Sequence, residues 1–379
     1  MTRRPVVLIA GGGTGGHLMP ALALANALRV LHPEWEPVMV GATRGVEARV
    51  LPTKDFRFEL LPAEPLYRRT WWRNARWPVV AWRLFRSVRS LMDRERPVAV
   101  LGTGGYASAP VVWWAARQGI PAAIQEQNAF PGLATRLLAR RVRHVYLGVP
   151  EARARLDTGR AQVFDTGNPI NPPDPARRTE ALRRLGLDAG RPVLLVTGGS
   201  QGSLAINRAV ARWLDARPPE AHDWQVLWVT GRGTFGEFSG RDNPPAIRVV
   251  DFLDPMADAY AVADLVVSRA GMMTVAELCA WGLPGILIPL PTSAADHQTH
   301  NARVLAEAGA GRLLPQSALE RGGLGTALAG LMENAPERRQ MADQARQRGR
   351  PDAARQIVSH FSTLIRPAES FPNSGRILD

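Results

Sequence analysis

The sequence predicts an α/β protein built from two doubly wound parallel sheets that face each other across a cleft. Short apolar strand patterns alternate with helical patterns almost throughout the 379 residues, as chains of βαβ units do. The opening Pro5-Val-Val-Leu-Ile-Ala-Gly-Gly12 returns as Pro192-Val-Leu-Leu-Val-Thr-Gly-Gly199, so the second half restarts the first. Between the two, residues 168 to 175 carry four prolines in eight positions. Proline removes a donor and restricts the residue before it, which suits a linker.

The elements follow in order. Val6 to Ala10 is an unbroken apolar run and reads as a strand buried on both faces. Five glycines within six positions, Gly11 to Gly16, lead through Thr14 to His17 and a helical pattern at Leu18, Leu22, Ala25 and Leu28. Val38 to Val40 and Phe56 to Leu61 are the next strands, and residues 71 to 95 read as one long helical stretch. Val98 to Leu101 is a strand that runs into Gly102-Thr-Gly-Gly105-Tyr106. A helix from about Ala109 to Gln118, the strand Ala122 to Gln125, a helix from Gly132 to Arg141 and the strand His144 to Val149 complete the first half. After the linker, the strand that opens at Pro192 is followed by Val226 to Val229, Ile247 to Val250, Leu265 to Ser268 and Gly285 to Pro289. Helices are expected from there to about residue 366. The organisation expected is a first domain over 1–167, a linker over 168–190 and a second domain over 191–350. A helix at about 351–366 packs back on the first domain, and 367–379 is a loose tail.

Bulk composition narrows the possibilities. Hydrophobic residues make up 45% of the chain, ample for two cores, and Cys279 is the single cysteine, which excludes an internal disulfide. The N-terminus reaches an ordinary strand within a few residues, so a signal peptide is not expected. Residues 270 to 291 are nearly uncharged, but Glu277, Gly282, Pro284 and Gly285 divide them into a helix and a strand rather than a membrane span. The formal net charge of +13 suits an anionic membrane surface, an anionic substrate or nucleic acid.

Chemistry concentrates at the strand ends. A strand that runs through glycine into a helix start exposes bare backbone N–H groups to an anion. His17 is the one side chain beside the first such turn that exchanges a proton near neutral pH. Gly11, Gly13 and Gly16 have the dinucleotide spacing, which is weak by itself. The following strand ends at Arg44 rather than at an acidic residue, which leaves an NADP-dependent oxidoreductase as an alternative. A dehydrogenase needs no second glycine turn in the same sheet, however, and Gly102 to Gly105 provide one. Gln125-Glu126-Gln127-Asn128 ends a third strand at the same edge, where Glu126 and Asn128 suit sugar hydroxyls, or Asn128 a plain helix cap. In the second half, Ser268 to Glu277 read as strand, turn and helix start. The first helical turn suits a diphosphate, and Glu277 suits ribose hydroxyls or simply the positive end of the helix. Asp296-His-Gln298-Thr-His-Asn301 opens a further helix. No Asp-x-Asp pair and no Cys/His cluster with zinc spacing occurs, so neither a catalytic metal nor a cofactor is expected.

Taken together, the motifs Gly-Gly-Thr-Gly-Gly-His (12–17), Gly-Thr-Gly-Gly-Tyr (102–106), Glu-Gln-Asn (126–128), Gly-Asn-Pro (167–169), Gly-Gly-Ser-Gln-Gly (198–202), Arg-Ala-Gly…Thr-Val-Ala-Glu (269–277) and Asp-His-Gln-Thr-His-Asn-Ala (296–302) resemble the MurG family of peptidoglycan N-acetylglucosaminyltransferases. The resemblance runs from residue 5 to about 360 and implies a GT-B fold. It implies inverting transfer from UDP-N-acetylglucosamine to the 4-hydroxyl of the muramoyl sugar of undecaprenyl-linked lipid I, giving lipid II and UDP. It makes the first domain the acceptor and membrane side and the second the donor side. Thr14, Gly15, Gly16, Asn128, Ser200, Leu253, Met272, Met273, Thr274, Val275, Ala276, Glu277 and Gln298 fall at donor positions. His17 falls at the position of the general base, and Gly104, Gly105, Tyr106 and Glu126 fall on the acceptor side. Members usually carry a donor-contacting arginine two residues after the Gly-Asn-Pro proline, where this chain has Asn171. The remaining alternative is a non-catalytic nucleotide-sugar-binding protein on the same scaffold. The joint presence of His17, Glu277 and Gln298 argues against it.

A lipid-linked acceptor cannot leave the bilayer, so the enzyme must come to it. Residues 66 to 96 hold nine arginines against Asp93 and Glu95, interleaved with Trp71, Trp72, Trp77 and Trp82. Indole rings favour the headgroup level and arginines favour anionic lipid. Trp71, Trp72, Arg73 and Arg76 are therefore expected to dock the protein peripherally on the cytoplasmic face of the plasma membrane, although a core-packing helix with a solvated face would look similar. No nucleic-acid partner is expected. Cell-wall or division machinery is the kind of protein partner the resemblance implies.

Overall fold

The computed structural model describes residues 4–64, 76–199, 201–216, 223–293 and 296–365. Seven strands form the first sheet: β1 (Val6–Ala10), β2 (Glu36–Ala42), β3 (Arg57–Leu61), β4 (Ala99–Gly102), β5 (Ala122–Glu126), β6 (His144–Leu147) and β7 (Gln162–Asp165). Six form the second: β8 (Val193–Thr197), β9 (Gln225–Val229), β10 (Ile247–Val250), β11 (Leu265–Ser268), β12 (Gly285–Leu287) and β13 (Gly311–Leu313). The strand orders are β3-β2-β1-β4-β5-β6-β7 and β10-β9-β8-β11-β12-β13, and the paired strands run parallel.

Parallel strands flanked by helices are buried on both faces, so they are written as continuous apolar runs. β1 and β8 show this, with all five residues of each buried. Alternate residues of β1 enter different cores. Leu8 packs with Val40, Val100, Val111 and Ile124 on one face, and Val7 and Ile9 pack with Leu18, Leu24 and Leu101 on the other. The second sheet is likewise covered on both sides.

Both sheets change direction at their centre. From β1 the chain moves outward to β2 and β3, then returns to β4 on the other side, and β8 and β11 repeat the arrangement. Such switch points open a crevice beyond the carboxyl ends of the two central strands. The glycine turns after β1, β4 and β8, and the Arg269–Gly271 turn after β11, lie at these ends. The helix Ala353–Ser362 comes from the far end of the sequence, yet Ile357, Val358 and Phe361 lie in the same core as Leu18, Leu24 and Leu28 of the helix Gly15–Leu31.

Two strands were not expected. β7 is an edge strand with exposed ends, and β13 has three residues with Arg312 at its centre. Neither has the apolar run that marks the interior strands. The long helix of the first half begins at Trp77, with Pro78 in its first turn. Residues 71 to 75, where a helical start was expected, lie outside the described residues. So do Trp71, Trp72, Arg73, Ser200 and the tail 367–379.

Candidate active site

In the first half the switch point brings the two glycine turns into contact. The Gly12 N–H donates to the Gly104 carbonyl at 3.4 Å, and a Cβ on Gly105 would strike the Gly12 carbonyl oxygen. Gly104 and Gly105 hold φ of +94° and +84°, open to glycine at little cost. His17 lies against both. The helix Gly15–Leu31 starts after Thr14, whose backbone is extended and whose side chain makes no capping hydrogen bond. The Tyr106 ring covers Gly13.

The His17 imidazole is held from behind. Its Nδ1 lies 3.1 Å from the Thr103 carbonyl oxygen and 3.1 Å from Gln127 Oε1. A carbonyl oxygen only accepts, so Nδ1 carries the hydrogen and Nε2 keeps its lone pair. Gln127 Nε2 donates to the same carbonyl at 2.8 Å, which fixes the orientation of its amide. Behind it, Gln125 donates to Asn168 Oδ1 at 3.0 Å, and Asn168 donates to the Gln127 carbonyl at 3.1 Å. Burial holds the His17 pKa below the ordinary histidine value. Glu126, the contacts to Gln127 and Thr103, and Glu47 act in the opposite sense.

Glu126 is buried, and its own turn occupies it. Oε1 accepts from the Asn128 backbone N–H at 3.0 Å and the Asn128 amide at 3.3 Å, and Oε2 accepts from the Gly132 N–H at 3.0 Å. Glu126 therefore shapes the 126–132 turn, and Asn128 is the more open of the two.

In the second half the helix Met272–Trp281 follows β11, with Gly271 at its N-cap. Met272, Met273, Thr274, Val275, Ala276 and Glu277 form its first turns, and the helix meets Gly15–Leu31 across the cleft. Glu277 Oε2 accepts from the Tyr260 hydroxyl at 2.8 Å. Burial pushes the Glu277 carboxyl up to about 7, against the opposing pull of that hydrogen bond. Gln298 accepts from the Leu290 N–H at 3.0 Å, on the loop after β12. Leu253 packs against the second core after β10. Asn171 is exposed on the linker. A Lys54–Asp254 ion pair at 3.0 Å links the halves.

Sequence reasoning gave no role to Gln127, Tyr260 or Arg269. The Arg269 guanidinium donates to the Ile288 and Pro289 carbonyls, Ser203 Oγ and Gln316 Oε1 at 2.7 to 3.2 Å. All four acceptors are neutral, so a half-buried positive charge stands beside the β8 and β11 turns. Its place in the Arg-Ala-Gly motif was the available signal. Among the described residues no three His, Cys, Asp or Glu side chains cluster as metal ligands would.

Two switch-point crevices, each with a helix N-terminus, define a two-lobed enzyme scaffold of the GT-B class suited to anionic ligands. Residues 7–147 match the glycosyltransferase family 28 N-terminal domain and residues 193–357 match the family 28 C-terminal domain. A relative from Salinibacter ruber, named UDP-N-acetylglucosamine--N-acetylmuramyl-(pentapeptide) pyrophosphoryl-undecaprenol N-acetylglucosamine transferase, is 43% identical over 374 residues, 96% of this chain and 98% of its own. One of the same name from Desulfitobacterium hafniense is 38% identical over 363 residues, 93% of this chain and 97% of its own. The crystal structure of Acinetobacter baumannii MurG superposes with a TM-score of 0.70 at 27% identity, over 95% of this chain and 100% of that one. The chain belongs to glycosyltransferase family 28 and, within it, to the MurG family of N-acetylglucosamine transferases.

Proposed function

We propose that the protein transfers N-acetylglucosamine from UDP-N-acetylglucosamine to the 4-hydroxyl of the muramoyl sugar of lipid I, giving lipid II and UDP. The observation that carries this reading is His17, held with its Nε2 lone pair available at the meeting of two glycine turns. The acceptor oxygen attacks the anomeric carbon as the bond from that carbon to the diphosphate oxygen breaks, inverting the configuration. The hydroxyl proton passes to His17 Nε2, and UDP leaves with the electron pair and one further negative charge. A positioned base of this kind contributes about 10²–10⁴ in rate.

The donor fits the second half. The N–H groups at the start of Met272–Trp281 offer fixed dipoles to the departing diphosphate, and the Arg269 charge lies at the neighbouring turn. Glu277 suits ribose hydroxyls, with Gln298 in the first turn of the helix His297–Glu307. Arg269 offers the positive charge that Asn171 lacks. The acceptor diphosphate fits the glycine turns of the first half beside Tyr106.

A peripheral position on the cytoplasmic face of the membrane suits a lipid-linked acceptor. No described helix is long and apolar enough to cross a bilayer. The helix Trp77–Glu95 instead buries Leu84, Val88, Leu91 and Met92 and turns Val79, Trp82 and Phe85 to solvent, 54%, 61% and 38% exposed. Arg83, Arg86 and Arg89 accompany them on the exposed side. This supports docking of an apolar and basic face on anionic lipid. Incubation with UDP-N-acetylglucosamine and a lipid I analogue, read as UDP release and lipid II formation, tests the reading. Absence of both products from folded, vesicle-bound protein would reject it.

A further inference from the structure

Glu47 is fully buried at the start of a one-turn helix, and no step of the proposed reaction uses it. Its carboxylate accepts the Gly13 N–H through both oxygens, at 2.8 and 3.0 Å, and the Ala42 N–H at 2.8 Å. Three glycines make room for it. A Cβ on Gly12 or Gly45 would overlap the carboxyl group, and one on Gly41 would overlap its Cγ. Gly13 itself holds φ of +94°, with the Tyr106 ring over it.

A glycine turn before a helix is an anion site because its N–H groups converge on one concavity. Here part of that concavity is filled by the protein's own carboxylate. Two further turn donors are also committed, Gly11 N–H to the Val40 carbonyl at 3.0 Å and Gly12 N–H to the Gly104 carbonyl. The N–H groups of Gly15 and Gly16 begin the helix, where no intrahelical acceptor exists.

We propose that Glu47 is a positioning residue for sugar transfer: it fills the β1 turn, sets Gly13 against Tyr106, and directs the acceptor's diphosphate to the helix start at Gly15 and Gly16. This rests on the reading of His17 and the two turns as the acceptor side, in place of the donor role that the family resemblance implied for Thr14, Gly15 and Gly16. The charged groups that bear on the His17 imidazole are Glu126 from β5 and Glu47, and both favour its protonated form against burial. Glu47 thereby tunes the base as well as the turn.

Glu47→Gln separates these effects, because its Oε1 still accepts from Gly13 and Ala42 while the charge is gone. The folded variant is expected to bind UDP-N-acetylglucosamine within about twofold of wild type, since the donor side lies in the other half. Turnover should fall at least tenfold, and the acidic limb of kcat/KM for the acceptor, measured with donor saturating, should move to lower pH. Wild-type turnover with an unmoved limb overturns the proposal, as does a loss of donor affinity that matches the loss of turnover. Glu47→Asp keeps the charge and shortens the reach, so it should lose turnover with the limb in place; wild-type turnover there also counts against the role. His17→Ala run beside them distinguishes two failures. Loss in His17→Ala with none in the Glu47 variants rejects Glu47 alone, whereas wild-type turnover in His17→Ala rejects the reading of the site.

Discussion

The Nδ1 of His17 sits 3.1 Å from the carbonyl oxygen of Thr103, so a residue inside the glycine turn after β4 sets the tautomer of the residue that follows the glycine turn after β1. The hydrogen is committed to the sheet side, and the lone pair is left on Nε2. Because Thr103 and Gln127 are buried, the ring cannot exchange these partners for water without opening the fold.

His17→Ala should therefore lower turnover at least tenfold while UDP still binds, within the range a general base supplies. The pH dependence has a definite sign. A base works in its neutral form, and burial holds the His17 pKa below the ordinary value of 6.5. With donor saturating, wild-type kcat/KM for the acceptor should stay flat through neutral pH and fall only below about pH 6.5, an acidic limb that a steady-state profile would locate. A limb above that pH would place the titrating base elsewhere.

Donor binding should carry its own pH signature through Glu277. In the free protein its carboxyl is pushed up to about 7, so a substantial fraction is protonated at neutral pH. Ribose hydroxyls that donate to the carboxylate favour the ionised form and lower that pKa on binding. Affinity for UDP-N-acetylglucosamine should then rise as pH increases through 7 and level off above it. Glu277→Ala should weaken binding by about 1–3 kcal/mol, the scale of lost hydrogen bonds to a charged group, and abolish the pH dependence. Calorimetry across pH 6 to 8 reads both effects.

The exposed face of the helix Trp77–Glu95 should decide membrane attachment. Changing Val79 and Trp82 to Ser removes apolar surface that already faces water, so the fold should be unharmed, while Phe85, whose ring packs edge-on against Trp113, is left in place. Replacing Arg76 and Arg83 with Glu as well removes basic contacts worth about 1 kcal/mol each near anionic lipid. The combined variant should no longer sediment with anionic vesicles, yet should keep its turnover on a short-chain, water-soluble acceptor. Sedimentation equal to wild type would remove this face from the attachment surface. Trp71, Trp72 and Arg73 form a second set for the same assay.

The interior strands were legible in the sequence because a strand covered on both faces is spelled as an uninterrupted apolar run, as Val6–Ala10 and Val193–Thr197 are. β7 and β13 were not, because edge strands need no such run. At the site, the glycine turns and His17 announce themselves by local spacing. Glu47 does not. In sequence it is one acid beside Arg44 and Arg49, as on any solvated helix, and only the fold shows that Gly12, Gly41 and Gly45 are arranged around it. Tyr260 was equally hidden, since nothing near it in sequence points to a carboxyl 17 residues on.

The helix Ala353–Ser362 has a bearing on how the protein comes into being. Its Ile357, Val358 and Phe361 complete the core beneath His17's own helix. During synthesis the first lobe emerges from the ribosome long before that helix does, and must wait, one flank uncovered, while the whole second lobe is made. A fragment ending at the linker would carry the glycine turns and the histidine but would leave that core without Ile357, Val358 and Phe361. The reacting residues at the start of the chain thus reach their finished setting only once this distant helix has been translated.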